Sequence, residues 1–225
     1  MTTPTSTTNL SRPDPDGSPA AARPDRLLSD RYERALRLAA AGHRDQRRRL
    51  SGVPYIAHPL AVSRIVERAG FDEATAIAAL LHDLVEDTAT SVAEIQAHFG
   101  DEVAATVAGC SEVKQDPDGH PRSWEDRKRE HLVLLRDAIT AIKAVVLADK
   151  LHNMISIRLD LAAGHEVWEA FHASRDRILW YFAAVAEVCG SGDPRLLMLA
   201  TDYRDELDHL VVLAGGKPDF APGEA

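Results

Sequence analysis

The sequence predicts an all-α protein, and three observations carry that prediction. Hydrophobic residues make up 45% of the chain but aromatic residues only 5%, and Ala and Leu, both strong helix formers, dominate the apolar stretches. Apolar positions recur at helical rather than alternating spacing. Caps and breakers, a Ser-x-x-Glu before one apolar run and Gly or Pro between others, punctuate segments of helical length. At 225 residues the chain is long enough to bury a real core and suits one domain with tails.

Residues 1–26, rich in Thr, Ser, Pro and Asp, read as a disordered lead with no basic region followed by an apolar run, so they do not resemble a secretory signal. The domain is expected over residues 27–213 and a tail over 214–225. Tyr32, Ala35, Leu36, Leu38 and Ala39 predict a first helix over 30–41, with Gly42 as the residue after its end. Residues 43–52 then place Arg44, Arg47, Arg48 and Arg49 close together before a Ser51-Gly52 turn. An extended piece over 53–58 sets His58 before Pro59, where helical geometry is disfavoured, and Pro59 opens a helix running to about residue 69.

Gly70 breaks that helix and Glu73 begins the run into His82. Ser91 and Glu94 have capping-box spacing for a helix over 92–98 that ends at Gly100, and Asp101 opens the next. Residues 115–121 read as an ordinary connection and 124–138 as a surface helix. A largely buried helix carries residues 145–154, another spans about 165–189, and a last one about 194–213. Trp168, Phe171, Ile178, Trp180, Tyr181 and Phe182 have the spacing of a core stripe.

A net charge of −9 argues against a broad nucleic-acid or anionic-membrane footprint, so an anion must be captured locally. No run of about 18 apolar residues occurs, so no membrane partner is expected and the cytoplasm is the expected location. Cys110 and Cys189 form no close pair and read as reduced core thiols.

Chemistry concentrates in two stretches. Residues 79–88 read Ala-Leu-Leu-His-Asp-Leu-Val-Glu-Asp-Thr, and on a continuous helix His82 shares a face with Glu86, and Asp83 with Asp87. An imidazole beside a carboxylate suits a divalent cation, and two carboxylates one turn on suit orienting water or moving protons. Taken alone, the same stretch reads as a helix end with solvated acids. In the second stretch, Asp149 follows Val145, Val146, Leu147 and Ala148, and a buried acid needs a partner: a metal, Lys150, an arginine or a hydroxyl. Asn153 and Ser156 share its face. The arginine cluster is either a clamp for nucleotide phosphates or a solvated basic loop.

Four segments together, Pro54-Tyr55-Ile56-Ala57-His58-Pro59, Leu80 to Thr88, Phe99-Gly100 with Val103, Val107 and Gly109, and Leu147 to Met154, resemble the HD-superfamily phosphohydrolases. Within that superfamily the chain is similar to small alarmone hydrolases related to the hydrolase domain of RelA/SpoT proteins. The resemblance covers about residues 43–156, and residues 124–135 and 167–182 resemble stand-alone bacterial members.

The resemblance implies a helical HD domain in which His58, His82, Asp83 and Asp149 bind one divalent metal, commonly Mn2+, while Glu86 and Asp87 position and activate water. The implied substrate is a nucleotide 3′-pyrophosphate, (p)ppGpp or its adenine counterpart (p)ppApp, with pyrophosphate released. Arg48 matches a base- or phosphate-contacting position, and Arg49 is its rival because one extra residue separates that motif from Ser51-Gly52; Ser51 is also expected among the substrate contacts. Asn153 matches a sugar or phosphate contact, and Ser156 stands where the family often has Thr. Val146 replaces a usual Lys and Ile155 a frequent Arg, both withdrawing positive charge. Too few residues follow Asp149 for a synthetase domain, so hydrolysis alone is expected. The alternatives are an NADPH phosphatase and a hydrolase of a tRNA 3′-end pyrophosphate. An antitoxin opposing a small alarmone synthetase toxin would act by hydrolysis or, without catalysis, by contact.

Overall fold

A computed structural model describes residues 28–220, so the expected disordered lead over residues 1–26 and residues 221–225 of the expected tail lie outside the described residues. The all-α expectation is met. Among the described residues nine α-helices and one short 3₁₀ helix are joined by loops, and the only β pairing is two isolated bridges, Arg47 with Pro54 and Gln115 with Pro121.

Helix α1 (Asp30–Gly42) starts where the Ser29 hydroxyl accepts from Tyr32 N–H. Gly42 is its last residue rather than the one after it, and its small size serves packing. A Cβ there would stand 2.5 Å from Leu84 Cδ2. Helix α2 (Ala57–Arg68) begins before Pro59, so His58 is helical rather than extended. First-turn N–H groups have no partner inside the helix, so Pro59 removes no bond there, and His58 N–H instead bonds Tyr55 O at 2.8 Å.

Helix α3 (Glu73–Leu81) is capped by Asp72 and buried on all sides. His82 and Asp83 then form a tight turn before α4 (Leu84–Asp87), so the single continuous helix expected over residues 79–88 is interrupted at the two residues of chemical interest. Helix α5 (Val92–Cys110) carries the expected capping box and divides at Gly100, whose φ of 80° is unfavourable for any other residue.

Helices α6 (Trp124–Arg136), α7 (Thr140–Ala162), α8 (Arg175–Cys189) and α9 (Pro194–Leu213) complete the bundle. The helix expected over 165–189 is divided: a 3₁₀ turn at Val167–Ala170 gives way to extended backbone at Phe171, and the Ser174 hydroxyl caps a new start.

Helix α7 is the axis of the molecule and packs against α2, α3, α5, α8 and α9. One apolar cluster gathers α2, α6, α8 and α9 around it, and a second joins α1, α3 and α5. The alanines of α3 let its neighbours approach closely. Helices α2 and α3 are consecutive, pack together and are joined by a short turn at Gly70. His58 lies roughly 15 Å below the end of α2 and His82 roughly 14 Å beyond the start of α3, at 1.5 Å per residue, so an antiparallel pair sets them at one level.

Candidate metal centre and adjoining cavities

Three elements deliver the cluster: His58 from the first turn of α2, His82 and Asp83 from the turn after α3, and Asp149 from the middle of α7. His58, His82 and Asp149 are 1%, 5% and 7% exposed, and one ligand atom from each lies within 4.8 Å of the others. His58 Nε2 stands 3.1 Å from Asp149 Oδ1 and 3.5 Å from Asp83 Oδ2. His82 Nε2 stands 3.2 Å from Asp83 Oδ2 and 3.8 Å from Asp149 Oδ1.

His82 tests whether a cation fits. Its Nδ1 lies 2.7 Å from Ala79 O, and a carbonyl can only accept, so Nδ1 carries the hydrogen. Nε2 is then the ring's other site for a proton or a cation, buried without a hydrogen-bond partner and facing two carboxylates. Burial alone would strip a proton from this ring, but Asp83 and Asp149 outweigh it and hold its pKa well above the usual imidazole value. The site therefore demands positive charge at Nε2. Two imidazole nitrogens and two carboxylates, without thiolate, suit Mn2+, Fe2+ or Zn2+.

The HD domain family profile matches residues 35–177. The chain belongs to the HD domain family. Guanosine-3′,5′-bis(diphosphate) 3′-pyrophosphohydrolase MESH1 of Mus musculus is 36% identical over 157 residues, covering 68% of this chain and 80% of that protein. GTP pyrophosphokinase of Streptomyces coelicolor is 39% identical over 126 residues, 56% of this chain, and this chain spans only 14% of its length. The solved structure described as a metazoan ortholog of SpoT that hydrolyzes ppGpp superposes with a TM-score of 0.63 at 28% identity, covering 84% of this chain and 98% of that one. That of lmo0812 from Listeria monocytogenes gives 0.61 at 37% identity, covering 71% and 99%.

In this HD domain the remaining residues of interest, Ser51 and Asp87 apart, divide between two cavities. The larger, about 450 Å³, is lined by Arg47, Arg48, Arg49, Asn153 and Ser156 together with Tyr55, Trp124, Phe171 and Tyr181. Arg48 Nη2 donates to Asn153 Oδ1 at 2.9 Å and Asn153 Nδ2 to Asp149 Oδ1 at 2.6 Å, so this arginine is tied to the cluster. Arg49 reaches the carbonyl of Ala170, and Ser156 Oγ donates to His152 O at 3.0 Å. Ser51 is exposed in its turn and lies outside this lining. Phe171, 41% exposed, and Tyr181 wall the cavity, so the aromatic stripe is part core and part cavity wall.

The smaller cavity, about 260 Å³, includes His82, Asp83, Glu86 and Asp149. Glu86 is anchored there, accepting from Glu112 N–H at 2.8 Å and pairing with Lys114 Nζ at 3.1 Å. Asp87 lies outside this lining, shares Lys114 at 3.5 Å and gives its backbone carbonyl to Gln46 Nε2 at 2.8 Å. Cys110 and Cys189 are both free thiols, and Cys110 lines the smaller cavity.

Sequence reasoning left Tyr55, His152 and the inward face of α6 without a role, and named Lys150 only as one of several candidate partners of Asp149. Tyr55 Oη donates to Asp83 Oδ2 at 2.7 Å. His152 Nδ1 lies 2.7 Å from His58 Nδ1, on the far side of that ring from the cluster. Lys150 Nζ donates to Asp149 Oδ2 at 2.5 Å, and burial, which opposes its charge, is outweighed by that carboxylate. Helix α6, expected to be a plain surface helix, turns Arg127, Lys128 and His131 into the smaller cavity. The signal was present: Trp124, Lys128, His131 and Leu135 fall at i, i+4, i+7 and i+11, one helical face.

Proposed function

We propose that this chain is a metal-dependent phosphohydrolase that removes the 3′-pyrophosphate of an alarmone nucleotide, ppGpp or ppApp. One observation carries the reading: a His-His-Asp-Asp cluster, buried at His58, His82 and Asp149, that demands a cation adjoins, through Asn153, a cavity edged by arginines and aromatic rings. The relatives named for ppGpp hydrolysis support the same substrate class.

His58, His82, Asp83 and Asp149 would hold the ion, which we take to be Mn2+. Such an ion lowers the pKa of water and offsets charge on phosphoryl oxygens. The nucleoside and its 5′ phosphates occupy the larger cavity, where Arg48 offers a bidentate fork to phosphate and the aromatic walls cover the base. Glu86, held by Glu112 N–H and Lys114, orients the attacking water and takes its proton, and Asp87 keeps Lys114 in place. Water adds to the phosphorus bonded to the ribose 3′ oxygen. That P–O bond breaks with its electron pair leaving on the ribose oxygen, which is protonated to a free hydroxyl as pyrophosphate departs.

The test is hydrolysis of ppGpp, ppApp and NADPH side by side by Mn2+-loaded protein, with pyrophosphate and orthophosphate resolved. Pyrophosphate release from either alarmone, lost in Asp83→Ala, is expected, and the faster of the two names the base. Orthophosphate from NADPH alone would overturn the substrate while leaving the cluster. Turnover of no substrate with any divalent metal would overturn the enzymatic reading.

A further inference from the structure

Lys128 and Lys150 line both cavities, so the two spaces adjoin beside the cluster. The smaller one is lined by four carboxylates and four lysine or arginine side chains, whose charges cancel. A divalent cation on the cluster would leave two positive charges unbalanced. Helix α7 faces this space with Val145 and Val146, so on that side Lys150 is its only cation; the others come from Lys114 and from Arg127 and Lys128 of α6.

Lys128 is largely buried, its side chain 14% exposed, pairs with Glu112, and has its Nζ 4.5 Å from the Tyr181 ring centroid. His131, 3% exposed, has Nδ1 2.7 Å from Tyr181 Oη, while its Nε2 is buried with no partner. Burial, reinforced by Lys150, pushes this imidazole down to about 4, so the ring is neutral at pH 7. In the tautomer in which Tyr181 donates to Nδ1, the ring hydrogen sits on Nε2, a buried donor with nothing to receive it. Unbalanced positive charge and a free donor in one small space match a terminal phosphoryl group, which carries close to two negative charges and three acceptor oxygens.

We propose that the smaller cavity receives the distal phosphoryl group of a diphosphate, with Lys128 and His131 as the side chains that make the site prefer a diphosphate to a monophosphate. The identity of that diphosphate as the 3′-pyrophosphate of an alarmone rests on the function proposed above; the preference itself does not.

The experiment titrates Mn2+-loaded protein with pyrophosphate and with orthophosphate by calorimetry, for the unaltered chain, Lys128→Met, Lys128→Arg and His131→Gln, with Mn2+ affinity measured for each. Lys128→Met is expected to weaken pyrophosphate about 10- to 100-fold, the loss of a charge-assisted hydrogen bond, and orthophosphate less than about threefold. Lys128→Arg should recover most of the loss and His131→Gln should show a smaller one. Equal weakening of both ligands, or unchanged pyrophosphate affinity in Lys128→Met, overturns the proposal. If Lys128→Met fails to load Mn2+, the ratio of the two affinities in His131→Gln decides, an unchanged ratio overturning it. Alarmone hydrolysis with no Lys128-dependent preference sinks this inference alone. The preference without alarmone hydrolysis sinks the proposed function alone.

Discussion

Tyr55 and His152 stand behind the cluster, and each constrains one side chain of it. Tyr55 Oη occupies one lone pair of Asp83 Oδ2, fixing the direction in which that oxygen faces His58 and His82. With His58 Nε2 turned to the cluster, its Nδ1–H donates to His152 Nδ1, which sets the tautomer of both rings. Such supporting bonds are worth about 10- to 100-fold in metal affinity or activity. Tyr55→Phe keeps the ring that stacks near His43 and His58 and removes only the hydroxyl. Its Mn2+ affinity, measured by calorimetry, should fall about 10-fold or more with the circular dichroism spectrum unchanged. An unchanged affinity would mean that Asp83 needs no such support.

Two glycines set the shape of the elements around the site for different reasons. Gly42 lets the end of α1 touch Leu84, which holds the short α4 carrying Glu86 and Asp87. Gly42→Ala crowds Leu84 and should cost about 1–3 kcal/mol by overpacking, with a loss of activity out of proportion because the crowding falls on α4. Gly100→Ala meets no neighbour but must hold φ at 80° with ψ at 173°, and should cost about 1–3 kcal/mol with activity retained. Urea midpoints and turnover measured on both variants separate the two effects. Equal losses of activity would show that α4 is not steered by its contact with α1.

Across the whole molecule, buried charge links stability to pH and metal. His131 has a folded-state pKa of about 4 because burial, then Lys150, opposes its charge, while an unfolded histidine titrates near 6.5. The unfolded chain binds the proton first, so this stability is present above about 6.5 and is lost as pH falls from there toward 4. Comparison of urea midpoints between pH 7 and 4.5 should show a flatter slope in His131→Gln than in the unaltered chain. Metal acts in the opposite direction to acid. Removing divalent ions with a chelator should lower the melting temperature, and returning Mn2+ should restore it in the unaltered chain but not in Asp149→Asn. Mn2+ affinity should also fall as pH is lowered, since the ion must displace the proton that Asp83 and Asp149 hold on His82.

Helical class and most element positions were legible because caps, breakers and 3.6-residue periodicity act within a few residues of sequence. Asp149 stood out for a related reason: an aspartate in the middle of an apolar helix, as it is in α7, is too costly to leave without a partner, whereas His58, His82 and Asp83 were joined to it only through the family resemblance. Where local rules misled, packing overrode them. Gly42 looked like a helix stop and is a contact, and His58 before Pro59 looked extended and is helical. What only the tertiary structure decided is which side chains meet. His58 and His152 are 94 positions apart and touch because α2 lies on α7. Lys128 and His131 reach the smaller cavity only because α6 packs against α8, with Tyr181 behind them. Sequence encodes each helix face through local geometry, but the meeting of faces depends on the burial of the whole core at once.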